Sequence, residues 1–243
     1  MNLRNNLFRI NENCQMQEYS QEDKVLVAVD CIIFGFDQDE LKVLLIKRGF
    51  EPEMGKWSLM GGFLKKNENL DEAATRVLNS LTGLDDIYME QLYGFSKIDR
   101  DPAQRTISIA YFALINIADH NEELTRQFSA QWFSLADKHD LIFDHDKMVA
   151  KAIQQLRYKT TIQPIGFELL PEKFTMRQLQ KLYEAILNQD LDKRNFSKKI
   201  IGLDLLVKLS EKEKGTSKKG SHLYRFDSSK YQAKLSEGFN FKL

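Results

Sequence analysis

Residues 61–84, GGFLKKNENLDEAATRVLNSLTGL, bring three carboxylates, Glu68, Asp71 and Glu72, onto one short segment. Magnesium takes hard oxygen ligands, usually one or two carboxylates together with phosphate oxygens and water. A helix over 69–82 puts positions 77, 80 and 81 on one face, at i, i+3 and i+4. That face carries Val77, Ser80 and Leu81 and is mostly apolar, so it offers no metal ligand of that kind. A weak site built from Glu68, Asp71 and Glu72 is the alternative.

A second constellation is DRDPAQR, in which Asp99, Arg100, Asp101 and Arg105 place two carboxylates and two guanidiniums within seven residues. Such a set can hold hydroxyls or phosphates through directed hydrogen bonds. It can equally be a turn laced with surface salt bridges. Asp30 sits inside VLVAVDCIIFGF, where a carboxylate is costly unless paired. It is therefore a structural ion-pair partner or a pocket group facing a ligand. Cys14, Cys31 and four scattered histidines make neither a disulfide framework nor a ligand set.

The elements that position these groups follow from hydrophobic periodicity. Residues 25–36 are β-branched and aromatic and predict a buried strand. Residues 37–40 supply a turn and 41–47 its hairpin partner. A loop with Gly49, Pro52 and Gly55 leads through Phe63. The helix over 69–82 carries Leu70, Ala73, Ala74, Val77, Leu78 and Leu81 on its apolar stripe, and Gly83 stops it. Strands are expected over 87–98, 106–117 and 131–135, then a helix over 143–158 that closes a first domain spanning 23–158. Residues 1–22, rich in Asn, Gln and Glu, predict a mobile arm. Residues 159–173, with two prolines, read as a linker.

The rest, 159–243, has a different charge balance. The whole chain has no formal net charge, with 35 Lys and Arg against 35 Asp and Glu; from Pro164 onward 16 basic residues face 10 acidic ones. A helix over 174–188 begins with Thr175 as its cap. A second helix over 192–208 has Phe196, Ile200, Leu203 and Val207 on one face and basic residues toward its start. Two extended stretches around a Gly- and Lys-rich tip follow. Helix, turn, basic helix and β-ribbon make a winged helix-turn-helix. In such a unit the start of the second helix reaches base edges while neighbouring cations contact phosphate. Arg194 and Asn195 suit bases, since Arg pairs with guanine and Asn with adenine. Lys193, Ser197, Lys198, Lys199, Lys218 and Lys219 complete the expected DNA-binding set, with the lysines suited to phosphate.

Gly62, Glu68, Arg76, Leu78, Gly83 and Leu84 fall on the marks of the Nudix box, the metal and pyrophosphate motif of Nudix hydrolases, and Trp57 matches its lead-in. Val77, Ser80 and Leu81 stand where that box has glutamates, and Met60 where ADP-ribose hydrolases usually carry Pro. The words EPEMGKWSLMGGF, IDRDPAQRTISIAY, QPIGFELLPEKFTMRQLQKLYEAIL, LDKRNFSKKI and SHLYRFD resemble the Nudix-related transcriptional regulators, most of all bacterial arabinose-responsive repressors. The resemblance implies an α/β (α+β) Nudix fold, a mixed sheet sandwiched between helices, followed by a C-terminal winged helix. It further implies a homodimer on double-stranded operator DNA, released by L-arabinose in a catalytically dead pocket. A sister branch uses ADP-ribose and controls NAD metabolism. A pentose needs hydroxyl partners such as Asp30, Lys47 or Asp99. ADP-ribose also needs cations and a flat surface, for which Arg48, Arg100, Arg105 and Trp57 serve. No catalytic residue, metal or cofactor is expected. The alternatives are a residual ADP-ribose hydrolase using Glu68, and a sensing adaptor whose basic domain meets an acidic protein.

With 42% hydrophobic and 29% charged residues, no apolar run of membrane-spanning length and no apolar signal core near the start, the sequence predicts a soluble cytoplasmic protein.

Overall fold

The computed structural model describes residues 22–85, 87–119, 122–137, 140–213 and 220–242. Nearly all of the expected N-terminal arm, with Cys14, lies outside these residues, and so do Lys218 and Lys219.

A seven-stranded mixed sheet forms the first part of the chain. Strand β1 (Leu26–Asp37) is its spine. It pairs antiparallel with β2 (Glu40–Lys47) through its second half and with β4 (Met60–Phe63) through its first, while its other edge runs parallel to β6 (Thr106–Leu114). Antiparallel β5 (Tyr88–Phe95) forms the far edge beyond β6; β3 (Trp57–Ser58) and β7 (Gln131–Ser134) both pair with β2. The stretch before Phe63 is thus not all loop. Trp57–Ser58 and Met60–Phe63 are short strands, too brief for an alternating pattern to declare them.

The period of two along β1 sorts its side chains. Val29, Cys31 and Ile33 pack under α1 (Leu70–Thr82), whereas Ile32 and Phe34 face α3 (His145–Ile162). Each fully buried Leu or Ile on these faces contributes roughly 2 kcal/mol. Helix α1 starts where Asn69 and Glu72 cap each other reciprocally and stops at Gly83, whose φ of 69° lies in the left-handed region. A short helix, α2 (Glu122–Gln127), precedes β7 and had no clear signal in the sequence.

Helix α3 runs to Ile162, past the expected end at residue 158, and a 3-10 helix, Pro164–Leu169, follows at once. The stretch expected to be a linker is therefore packed. Ile165, Phe167, Leu169 and Leu170 belong to the same hydrophobic cluster as Ile32, Phe34 and Phe112 of the sheet. That cluster continues without a break into the second part through Leu179, Leu182, Tyr183, Ile186, Phe196 and Ile200.

The second part opens with β8 (Phe174–Thr175) and α4 (Met176–Leu187), capped by Thr175 and Gln178 as a reciprocal pair. Asn188, left-handed at φ 53°, ends it. The turn to α5 (Lys193–Gly202) is pinned by Glu184, which accepts from the Leu191 amide at 3.1 Å and from Gln180 at 2.9 Å. Helix α5 is shorter than the expected 192–208. Asp204 adopts φ 55°, and Leu206–Glu213 forms β9. Val207 therefore lies on a strand rather than on the apolar face of the helix. Strand β10 (Ser221–Phe226) pairs with β9 and β8, completing the wing, and α6 (Ser228–Ser236) packs after it. Among the described residues no helix is long and apolar enough to cross a membrane.

Candidate functional site

Where β1, β4 and the start of α3 converge, a cleft of about 120 Å³ opens. Its inner wall is a polar cluster buried between apolar layers. Asp30 is 7% exposed and accepts a short hydrogen bond from Ser108 Oγ. Arg100 turns inward from its loop, donates from Nη2 to Asp144 at 2.8 Å and from Nε at 3.1 Å, and stands 3.6 Å from Asp30. The two readings of Asp30 are thus combined: it pairs with a cation and lines the cleft. Gly61 is required beside it, because a Cβ there would overlap Asp30 Oδ1 and meet the Val29 carbonyl at 2.9 Å.

His145 completes the wall. Its Nδ1 accepts from the Leu59 amide at 3.1 Å, which leaves the ring proton on Nε2, 3.8 Å from Asp30. Burial holds its pKa below the ordinary histidine value, so the ring is neutral near pH 7. Neither His145 nor Asp144 was singled out from the sequence. They lie more than a hundred residues from Asp30 and carry no spacing signal; the start of α3 brings them in.

The mouth is cationic and aromatic. Arg48 donates to the Phe50 carbonyl at 3.1 Å, and its guanidinium lies 4.0 Å from the Phe50 ring centroid and 5.2 Å from that of Phe143. Phe50 and Phe143 both line the cleft. Trp57, expected to supply the flat surface, instead packs edge-on against Phe133 at 4.7 Å with Lys47 above it. Lys47, Trp57, Asp99 and Arg105 are not among the residues lining the cleft, whereas Asp30, Arg48, Arg100 and Asp101 are. Asp99 forms a surface ion pair with Lys97, which holds its carboxyl below the usual range. Arg105 donates to the Lys97 carbonyl at 3.3 Å and closes the same turn. The 99–105 segment therefore divides: Arg100 and Asp101 belong to the cleft, and Asp99 and Arg105 to the surface turn.

The three carboxylates near α1 are all engaged. Glu68 takes a forked pair of hydrogen bonds from Arg76, at 2.6 and 2.9 Å, and one from the Lys65 amide. The Arg76 contact holds its carboxyl down to about 2. Asp71 accepts from Tyr111 Oη at 2.6 Å, and Glu72 is spent on the helix cap. Val77 and Leu81 are buried under the sheet, and Ser80 Oγ donates to the Val77 carbonyl.

The basic face lies on α5. Asp192 caps it by accepting from the Asn195 amide at 2.8 Å. Phe196 and Ile200 are buried against α4, which leaves Lys193, Arg194, Asn195, Lys198 and Lys199 exposed and Ser197 half-buried.

These features define a Nudix sandwich carrying a winged helix. Comparison with known proteins supports both halves: residues 24–153 match the Nudix domain, and residues 166–226 match the NrtR DNA-binding winged helix domain. The chain is 34% identical over 221 residues to the ADPR responsive transcriptional repressor NtrR of Acinetobacter baylyi, covering 88% of each. It is 37% identical over 123 residues to the ADP-ribose pyrophosphatase of Methanocaldococcus jannaschii, covering 51% of this chain and 70% of that one. Its fold is like that of Shewanella oneidensis NrtR complexed with a 27mer DNA, with a TM-score of 0.76 and 27% identity over 82% of this chain and 93% of the other. The chain belongs to the NrtR-type family of Nudix-related transcriptional regulators. The Acinetobacter and Methanocaldococcus relatives are named for ADP-ribose and not for a pentose.

Proposed function

We propose that this protein is a DNA-binding transcriptional repressor whose signal is ADP-ribose, bound in the cleft of a Nudix domain that no longer hydrolyses it. The observation that carries this is the end-to-end likeness to the ADPR responsive repressor, which spans both domains. The cleft chemistry supports the same ligand. Arg48 beside the exposed Phe50 ring and the half-buried Phe143 ring offers a cation and a flat apolar surface at the mouth, and Asp30 offers a carboxylate within for a sugar hydroxyl. L-arabinose, expected from the sequence resemblance, would use only the inner part of this arrangement.

Loss of hydrolysis follows from the engaged carboxylates. Glu68 is forked to Arg76, and Val77 and Leu81 supply no oxygen where a metal would need one. Lys193, Arg194, Asn195, Ser197, Lys198 and Lys199 of α5 meet the operator, with Lys218 and Lys219, which fall between β9 and β10 in the sequence, on phosphate. Two copies of the chain act together on it. The test is fluorescence anisotropy of the full-length protein on the DNA upstream of its own operon, titrated separately with ADP-ribose and L-arabinose. ADP-ribose releases the duplex and arabinose does not; release by arabinose alone overturns the effector assignment. Incubation of ADP-ribose with the protein and magnesium or manganese leaves the nucleotide intact, and turnover abolished by Glu68→Gln would restore the hydrolase reading.

A further inference from the structure

Helix α5 carries one side chain that its charge does not explain. Ile201 is 55% exposed, on the last turn of a helix whose other outward residues are basic or polar, Gly202 apart. At 3.6 residues per turn Arg194, Lys198 and Ile201 stand at i, i+4 and i+7 and share one stripe. Phe196 and Ile200, both buried, occupy the opposite side. A β-branched residue at an exposed helical position gives up helix propensity and removes no apolar surface from water.

The charge beside it says what covers it. A stripe headed by Arg194 and Lys198, with Lys193 and Lys199 flanking, faces a polyanion, and the neutral apolar end of such a stripe has few partners to meet. In the major groove the apolar feature on offer is the thymine C5-methyl group. The rise of 1.5 Å per residue places Ile201 about 10 Å along the helix axis from Arg194, a length over which a helix lying in the major groove passes about two to three base pairs. We infer that Ile201 is a specificity-determining residue, packing on a thymine methyl about two to three base pairs from the base that Arg194 reads. This rests on the DNA-binding reading above.

The experiment uses a duplex enriched by the full-length protein from a random-sequence pool, with each dT replaced in turn by dU, which lacks only the methyl. One replacement is expected to weaken binding roughly fourfold, the worth of a buried methyl. Ile201→Ala, which removes the contact in both protomers of a dimer, should lose roughly the square of that factor on the unmodified duplex and nothing further on the replaced one, while Ile201→Val keeps most of the sensitivity. Unchanged thermal unfolding of Ile201→Ala checks that the exposed site is not structural. Specific binding indifferent to every dT→dU change, or an Ile201→Ala protein as sensitive as wild type, would overturn the inference and leave DNA binding standing. Failure to enrich any sequence would overturn the DNA-binding reading, and this inference with it.

Discussion

Arg100 and Asp144, 44 residues apart, form a forked ion pair at 2.8 and 3.1 Å whose guanidinium also reaches toward Asp30. The arginine side chain is 2% exposed and Asp144 11%. Removing one partner of such a pair leaves a buried charge unpaired and typically costs about 3–5 kcal/mol. Arg100→Ala should therefore shift the urea midpoint strongly downward. Adding Asp30→Asn and Asp144→Asn to it should recover part of the loss, because the three act as one unit.

His145 predicts a pH dependence. Its folded-state pKa lies below the unfolded value of 6.5, so the unfolded chain binds the proton first as pH falls. Stability contributed by the neutral ring is complete above that unfolded value. It declines below it by about 1.4 kcal/mol per pH unit until the folded value is reached. Protonation also removes the acceptor for the Leu59 amide. Urea midpoints measured from pH 7.5 to 5.5 should fall for the wild type more steeply than for His145→Gln, and parallel curves would refute the assignment.

Helix α3 touches both functional regions. Its first residue stands in the cleft wall, and Arg157, three turns on, donates from Nε to the Ile186 carbonyl at the end of α4 at 2.8 Å. Arg157→Gln should leave ADP-ribose affinity nearly unchanged while reducing the effect of ADP-ribose on DNA affinity by roughly fivefold, a coupling change of about 1 kcal/mol. Calorimetry for the ligand alone and anisotropy with DNA would separate the two.

The lysines of α5 predict a salt dependence. With about four phosphates neutralised per protomer, the log–log slope of affinity against salt for a dimer is roughly −7. Lys198→Ala and Lys199→Ala should each weaken binding across sequences and flatten that slope by about one unit per protomer. Arg194→Ala should instead relax the preference at one base pair. A slope near zero for the wild type would remove the nucleic-acid reading.

Much of this was legible from the chain. The β-branched and aromatic run of β1, the cap at Thr175 and the stop at Gly83 are local signals, and the structure follows them. The exposed basic residues of α5 follow from its periodicity once Phe196 and Ile200 are taken as the buried side. The cleft was harder. Phe50, Phe143 and His145 are brought together by strand pairing and by the start of α3, and no spacing between them announces it. An aromatic residue beside a motif carries no mark of which way it faces, and Trp57 packs against Phe133. The apolar period, which Val207 continues, predicts a longer α5 than the structure has; the helix ends at Gly202 and Asp204 turns left-handed.

The apolar cluster that runs from Ile32 and Phe112 through Phe167 to Leu182 and Phe196 makes the two domains poor interchangeable parts. A winged helix cut free would carry half of an interior on its surface, and one grafted from a relative would have to match the underside of this sheet as well as the operator. Heat or urea should take both domains down in one transition. For the same reason, sequence drift in residues 164–170 is constrained from two directions at once, by the fold above it and by the DNA-reading unit below.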